Sequence, residues 1–399
     1  MDAQVKDALR FVLQRHNLLR AEDLPSVVNE AATMIGASDA VIHVVDLRQE
    51  KLVPFTSDQS ASRPNINVDG TLAGRAYTDV SRQERQTEST LTAWEPLLDG
   101  TERLGVLELT FPAADDPSSQ LEAEGRYLAS LVAEMLVARD KYGDAIARTR
   151  RLLPMQLPAE MQWQLMPPLT FGTPQVVVSG TIEPAYEVGG DCFDYAVNGT
   201  TAHVAVIDAM GHGLGATLLA TVAVGALRNA RRTGLDLVDT VRSMDKWLTS
   251  QFGPDMFVTA IVAELDIING YYRWVNAGHP PALLLRGGQI VKEFEEGVNP
   301  PLGLQDDIPV VMEERLEPGD RLVLYTDGVT EARDAEKKLF GIDRLVDFVT
   351  RAAAAELPAP ETLRRLNRAI LEHQEGNLQD DATTLLVEWL GDSALRLKP

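Results

Sequence analysis

The sequence predicts an α+β protein of two domains, each built on antiparallel sheet, joined by a long helix. Three observations carry this. At 399 residues the chain is longer than one hydrophobic core usually organises. Short Val/Ile-rich runs follow one another across tight turns, while helical stretches are grouped apart from them and do not alternate with them. Between the two strand-rich regions, one helical period runs from Pro117 to Pro154.

The elements follow in order. Residues 23–36, DLPSVVNEAATMIG, place apolar side chains at helical spacing, and SDAVIHVVDLRQEKLVPF then alternates as two strands joined at a polar turn. After a polar stretch near 56–90, AWEPLLDGTERLGVLELTF predicts a hairpin turning at Asp99-Gly100, closing the first domain near residue 115. The connecting segment begins with Ser119 and Glu122 at the spacing of a capping box and reads as one helix. Steps of four and three from Leu121 reach Gly125, Leu128, Val132, Met135, Arg139, Tyr142, Ile146, Thr149 and Leu153. That stripe is a heptad seam able to pair with a second copy, giving a homodimer, or else a face that packs on its own domain.

From residue 174 the chain becomes strand and turn: QVVVSGTIEP, DCFDYAV, AHVAVID, MFVTAIVAELDI, YYRWVNAG, ALLLRGGQIVKEF, DRLVLYTDG and ATTLLVEWL. Two helical stretches, GATLLATVAVGALRNARRTG and LVDTVRSMDKWLTSQF, and a later pair within 339–374 complete a layered domain. The expected divisions are residues 1–118, 119–173 (connecting helix and lead-in segment), 174–391, and a tail at 392–399.

Composition narrows function. Lys and Arg number 37 against 59 Asp and Glu, a net charge of −22 that repels a phosphate backbone, so nucleic acid is not expected as a partner. No apolar run nears the roughly 20 residues of a membrane span, and the first residues lack the pattern of a signal peptide, so a cytoplasmic protein is expected. A single cysteine, Cys192, excludes an internal disulfide or a cysteine zinc site; beside Asp191 it is expected to pack on the opposite face of its strand.

The chemistry is in the acids. The turn after DCFDYAV is NG or NGTT. A four-residue loop sets Asp191 opposite Asp208, and a two-residue loop sets it opposite Val206; both keep the two acids at one end and on one face, whereas a three-residue loop would not. Opposed carboxylates destabilise a sheet unless a cation lies between them. Two more strands carry acids at their ends: Asp327 in RLVLYTDG, and Asp380-Asp381 before ATTLLVEWL. Each alone is ordinary turn chemistry. Gathered, they make an all-oxygen cluster suited to magnesium or manganese and not to zinc. His212 and His279 are expected to be structural.

In that order, EVGGDCFDY, VIDAMGHG, MFVTAIVAELD, NAGHPPALLL, PPLGL, LVLYTDGVTEA and QDDATTLLVEW closely resemble the SpoIIE-like branch of the PPM metal-dependent protein phosphatases, over residues 160–391. The resemblance implies an αββα sandwich and two Mn2+ or Mg2+ ions. It further implies hydrolysis of phosphoserine or phosphothreonine on a regulatory protein, of the anti-anti-sigma type. By motif position Asp191, Asp208, Asp327 and Asp380 resemble the catalytic metal acids, with the Ala209 carbonyl a further ligand and Asp381 a neighbour that could share the role. In-line attack of water, assisted by a metal pair, would leave these aspartates as ligands and not as nucleophiles. The chain departs from the wider family in GTIEPAYEVGGD, which lacks the phosphate-binding arginine. Residues 20–140 look like a GAF domain, implying an unidentified small ligand or partner for a sensor at 1–118. Two alternatives are weighed. One is an inactive, ligand-responsive binding module. The other is a nucleotide cyclase suggested by Gly189-Gly190-Asp191, whose next residues, Cys192 and Phe193, lack the glutamate of the cyclase motif.

Overall fold

A computed structural model describes residues 3–57, 63–113, 119–183, 185–187, 189–375 and 380–391. The tail at 392–399 lies outside them, as do the side chains of Ser119, Leu121 and Glu122. The chain divides into two compact units, Met1–Pro154 and Met155–Lys398.

The first unit runs α1 (Ala3–Arg15), α2 (Leu24–Met34), β1 (Asp39–Val45), β2 (Lys51–Phe55), β3 (Ile66–Asn67), α3 (Leu72–Thr78), β4 (Gln83–Gln86), β5 (Thr90–Asp99), β6 (Glu102–Pro112), α4 (Ser119–Asp140) and α5 (Ala145–Arg150). Its six strands form one antiparallel sheet in the order β3-β2-β1-β6-β5-β4. Alternation sends Ile42 and Val44 to a core with α1, α2 and α4, and Val45 to a smaller core with Tyr77 of α3. The polar stretch near 56–90, which shows little period, holds β3, α3 and β4.

The connecting segment differs from the single helix expected. It stops at Asp140 and restarts at Ala145, where Gly143, the poorest helix former after proline, follows an exposed Tyr142. Leu128, Val132, Met135 and Ile146 of the seam are buried in the core of their own unit, and Arg150 donates from Nε to the Val45 carbonyl at 3.1 Å. Of the two uses the stripe allowed, packing on its own domain is the one observed. The apolar area is already withdrawn from water, and a coiled coil through it would have to expose that core first.

The second unit runs α6 (Leu157–Leu165), β7 (Thr170–Gly172), β8 (Val176–Glu183), β9 (Asp191–Asn198), β10 (Thr201–Ala209), α7 (Leu214–Thr233), α8 (Leu237–Phe252), β11 (Val258–Asp266), β12 (Tyr271–Ala277), β13 (Leu283–Arg286), β14 (Gln289–Glu293), β15 (Val298–Asn299), β16 (Met312–Arg315), β17 (Asp320–Tyr325), α9 (Asp327–Glu331), α10 (Gly341–Ala354), α11 (Ala359–His373) and β18 (Ala382–Trp389). One sheet has the order β15-β12-β11-β10-β9 with β16 paired to β12; the other is β14-β13-β17-β18-β8-β7. Val176, Val178, Phe193, Val206, Ile261, Leu324 and Leu385 share the core between them. Helices α7 and α8 bury Leu219, Val224, Val241 and Met244 against the outer face of the first sheet, and α10 and α11 bury Leu345, Val349, Leu363 and Leu366 on the second. The result is the αββα layering that the resemblance implies. Among the described residues no helix is long and apolar enough to cross a membrane.

Candidate metal centre

The β9–β10 hairpin pairs Asn198 with Thr201, and the register carries through to place Asp191 directly opposite Asp208. Asp191 shares its face with Phe193 and Tyr195, Asp208 with Val206 and Val204, and those four line the core between the sheets. The two acids are thus the final row of that core, at its rim. Cys192 and Ile207 face the other way, under α7 and α8, and burial, reinforced by Asp191 and Asp194, pushes the Cys192 thiol up. It is a packing residue, as its place in the strand predicts.

The opposite sheet supplies the other acids. Asp327 opens α9 where β17 ends, and Asp380 and Asp381 precede β18, which pairs antiparallel with β17. The Thr326 hydroxyl donates to Asp191 Oδ2 at 2.5 Å and accepts the Thr383 amide at 3.0 Å. Asp381 Oδ2 accepts the amides of Gly189, Gly190 and Asp191 at 2.8, 2.7 and 3.3 Å. Asp380 is exposed, and its Oδ1 takes the Asp381 amide at 2.9 Å.

Two glycines make these approaches possible. A Cβ on Gly189 would stand 2.2 Å from the Gly213 nitrogen, and one on Gly328 would stand 1.9 Å from the Asp381 carbonyl oxygen. No side chain fits at either. Ala209, the proposed carbonyl ligand, is buried and donates its amide to Gly190 O at 3.3 Å.

The electrostatics are those of acids crowded together. Burial pushes Asp208 up to about 7, with Asp327, Asp380 and Asp381 adding to it. Asp191 is raised by burial, then by Asp208 and Asp381, and Asp381 is raised by burial to about 6, its three amide donors opposing the shift. Asp327 is raised by burial, Asp380 and Glu331. The charged neighbours acting most strongly on all four are themselves carboxylates. Among the described residues no three such groups already converge closely enough to enclose one ion; mutual repulsion of uncompensated acids opposes that closure. A donor set made of hard carboxylate oxygens fits magnesium or manganese.

The histidines play other parts. His279 is buried, pairs through Nδ1 with Thr259 Oγ1 at 2.9 Å, and exchanges two 2.8 Å hydrogen bonds with the Asn276 side chain through its own backbone. Burial lowers it to about 4, so it is neutral and structural. His212 is exposed in the loop after Asp208. Thr326, by contrast, is a site residue that motif reading did not single out. The signal was its position, a hydroxyl immediately before the Asp327-Gly328 corner.

Residues 198–390 match the family model of stage II sporulation protein E. These residues form a SpoIIE domain. The match takes in Asp208, Asp327, Asp380 and Asp381 and begins after Asp191. The chain is similar to the phosphoserine phosphatase RsbP of Bacillus subtilis, with 31% identity over 39% of this chain and 40% of that one. It is similar too to the phosphoserine phosphatase RsbU of the same organism, with 23% identity over 51% and 60%. Protein IcfG of Synechocystis is 25% identical over 59% of this chain and 39% of its own length. The chain thus spans about two fifths to three fifths of the length of these three relatives. Among solved structures, the SiaA-PP2C domain of Pseudomonas aeruginosa superposes with a TM-score of 0.50 at 22% identity, covering 64% of this chain and 99% of that one. This likeness shows that the SpoIIE domain has the PP2C fold.

Proposed function

We propose that the SpoIIE domain is a metal-dependent protein phosphatase that hydrolyses phosphoserine or phosphothreonine on a regulatory protein of the anti-anti-sigma type. The observation that carries the reading is the opposed pair Asp191 and Asp208 at the rim of the sandwich, with Asp327 and Asp380 at strand ends of the neighbouring sheet close enough to raise Asp208. Asp191, Asp208, Asp327, Asp380 and the Ala209 carbonyl would hold two Mn2+ or Mg2+ ions. Bound there, the ions supply Lewis-acid stabilisation of the transferring phosphoryl group and water of lowered pKa. The aspartates act as fixed ligands, held to one geometry from behind, and none of them is needed as a nucleophile. Residues 180–191 contain no arginine, so the family's usual guanidinium is missing from that stretch and the metal pair would carry more of the phosphate binding.

The first unit is read as a GAF-like sensor for an unidentified ligand, supported by its single antiparallel sheet with helices on both faces. A homodimer would have to form through a surface other than the buried part of the seam. The same reading places the protein in the cytoplasm, with its substrate.

The test is phosphate release from a phosphorylated anti-anti-sigma-type protein by the purified full chain, with Mn2+ and with excess EDTA. Release that depends on Mn2+ supports the reading. Full turnover in EDTA overturns the two-metal mechanism, and no release with the metal bound favours an inactive binding module.

A further inference from the structure

Two side chains at the end of one sheet converge on a single residue of the other. Asp381 stands just before β18, yet its Oδ2 takes three successive amides of the loop that leads into β9. Thr326 stands just after β17, yet its hydroxyl reaches the Asp191 carboxylate. Because that hydroxyl oxygen accepts the Thr383 amide, its own proton is directed at Asp191 Oδ2. Gly328 packs on the Asp381 carbonyl so closely that no side chain is allowed between them.

We propose that Asp381 and Thr326 are positioning residues that clasp Asp191 from the opposite sheet, and that of the two adjacent acids only Asp380 faces the ions. The proposal rests on the metal-site reading above. Its physical basis is a division of labour between neighbours. The Asp381 oxygen that faces the loop is saturated by three amide donors, an arrangement that stabilises a carboxylate and fixes its position. Asp380, one residue earlier, is exposed, and its charge acts on Asp208 and Asp327. Asp381 sets the backbone height of Asp191, and Thr326 sets its side-chain rotation. A ligand held this way needs no rearrangement when a cation arrives, and the two sheets cannot slide at the rim without moving it. Productive geometry in such sites tolerates only about 0.5 Å.

The test uses the full chain, freed of metal, with two readouts: hydrogen exchange of the amides of residues 189–191, and calorimetric titration with MnCl2. In Asp381→Ala, exchange at those amides should rise at least about tenfold without metal, and Mn2+ affinity should fall about tenfold, as the loss of a residue orienting a metal ligand does. Asp381→Asn keeps an oxygen for the amides and should retain protection and both ions. Thr326→Val should weaken Mn2+ by about tenfold and Thr326→Ser should restore it. Asp380→Asn should lose an ion while the three amides stay protected. Asp381→Asn losing an ion with its amides still protected would make Asp381 a ligand and overturn the proposal. Wild-type protection in Asp381→Ala, or failure of Thr326→Ser to restore binding, would overturn it too. A wild-type chain that binds no Mn2+ would instead sink the metal-site reading, and amide exchange would still decide the clasp.

Discussion

Thr326, just past the end of β17, and Asp191, at the start of β9, flank different sheets and are 135 residues apart in sequence, yet the threonine hydroxyl lies 2.5 Å from the aspartate carboxylate. A hydrogen bond to a charged partner contributes roughly 1.5–3 kcal/mol, and here it joins the sandwich at the edge where the acids gather. The rim therefore combines crowded, mutually repelling acids with hydrogen bonds that tie the two sheets together.

Asp191→Asn and Asp327→Asn should each lower the rate of phosphate release at least about 100-fold while the fold persists, because each removes a ligand whose Lewis-acid partner supplies several kcal/mol. Steady-state kinetics on variants with wild-type circular dichroism and saturating Mn2+ check this. Wild-type rates in either would remove that residue from the metal set.

Stability should depend on pH through Asp208. Its carboxyl is raised to about 7 in the folded chain by burial and by Asp327, Asp380 and Asp381, against about 3.9 in an unfolded one. The folded state therefore binds the extra proton between these values, and this group's contribution to stability falls as pH rises from about 4 to 7. Metal-free melting curves should show a loss across that window that Asp208→Asn flattens, and Mn2+ should raise Tm more at pH 8 than at pH 5. A metal-free contribution from Asp208 that grows with pH would contradict the burial described.

Val132 is fully buried in the core of the first unit. Val132→Glu should lower that unit's stability by several kcal/mol, the cost of burying an unpaired charge, and should leave the association state unchanged in whatever fraction stays folded. Denaturant melts with sedimentation decide it: a stable variant that merely shifts from dimer to monomer would restore the coiled-coil reading of the seam.

Gly328→Ala should disturb the site more than its size suggests, since the added methyl would stand 1.9 Å from the Asp381 carbonyl oxygen. Weaker Mn2+ binding in a chain that still folds is the expected result. Unchanged titration would show that the β17–α9 corner yields without moving the acids.

Cys192 should resist thiol reagents until the domain unfolds, because burial and neighbouring acids hold it as the unreactive thiol. Rapid labelling of the native protein would contradict its place under α7.

Much of this was legible in order along the chain. The alternation of DCFDYAV and AHVAVID set Asp191 and Asp208 at one end for a two- or four-residue turn, because side-chain direction in a strand repeats every two residues, and the structure excluded the three-residue turn that would have separated them. Local periodicity likewise marked α7, α8, α10 and α11 and the apolar stripe of α4. Only the tertiary structure decided what that stripe meets, since a heptad seam and a core-facing helix present the same apolar face, and the break at Lys141–Asp144 emerged with the packing. Only it brought Thr326 and Asp381 to Asp191, because contacts between strands of different sheets follow from how the sheets stack and leave no period in the sequence. The sequence alone determined which acids end the strands; the stacking of the two sheets determined that Asp381 and Thr326 meet Asp191 at the rim.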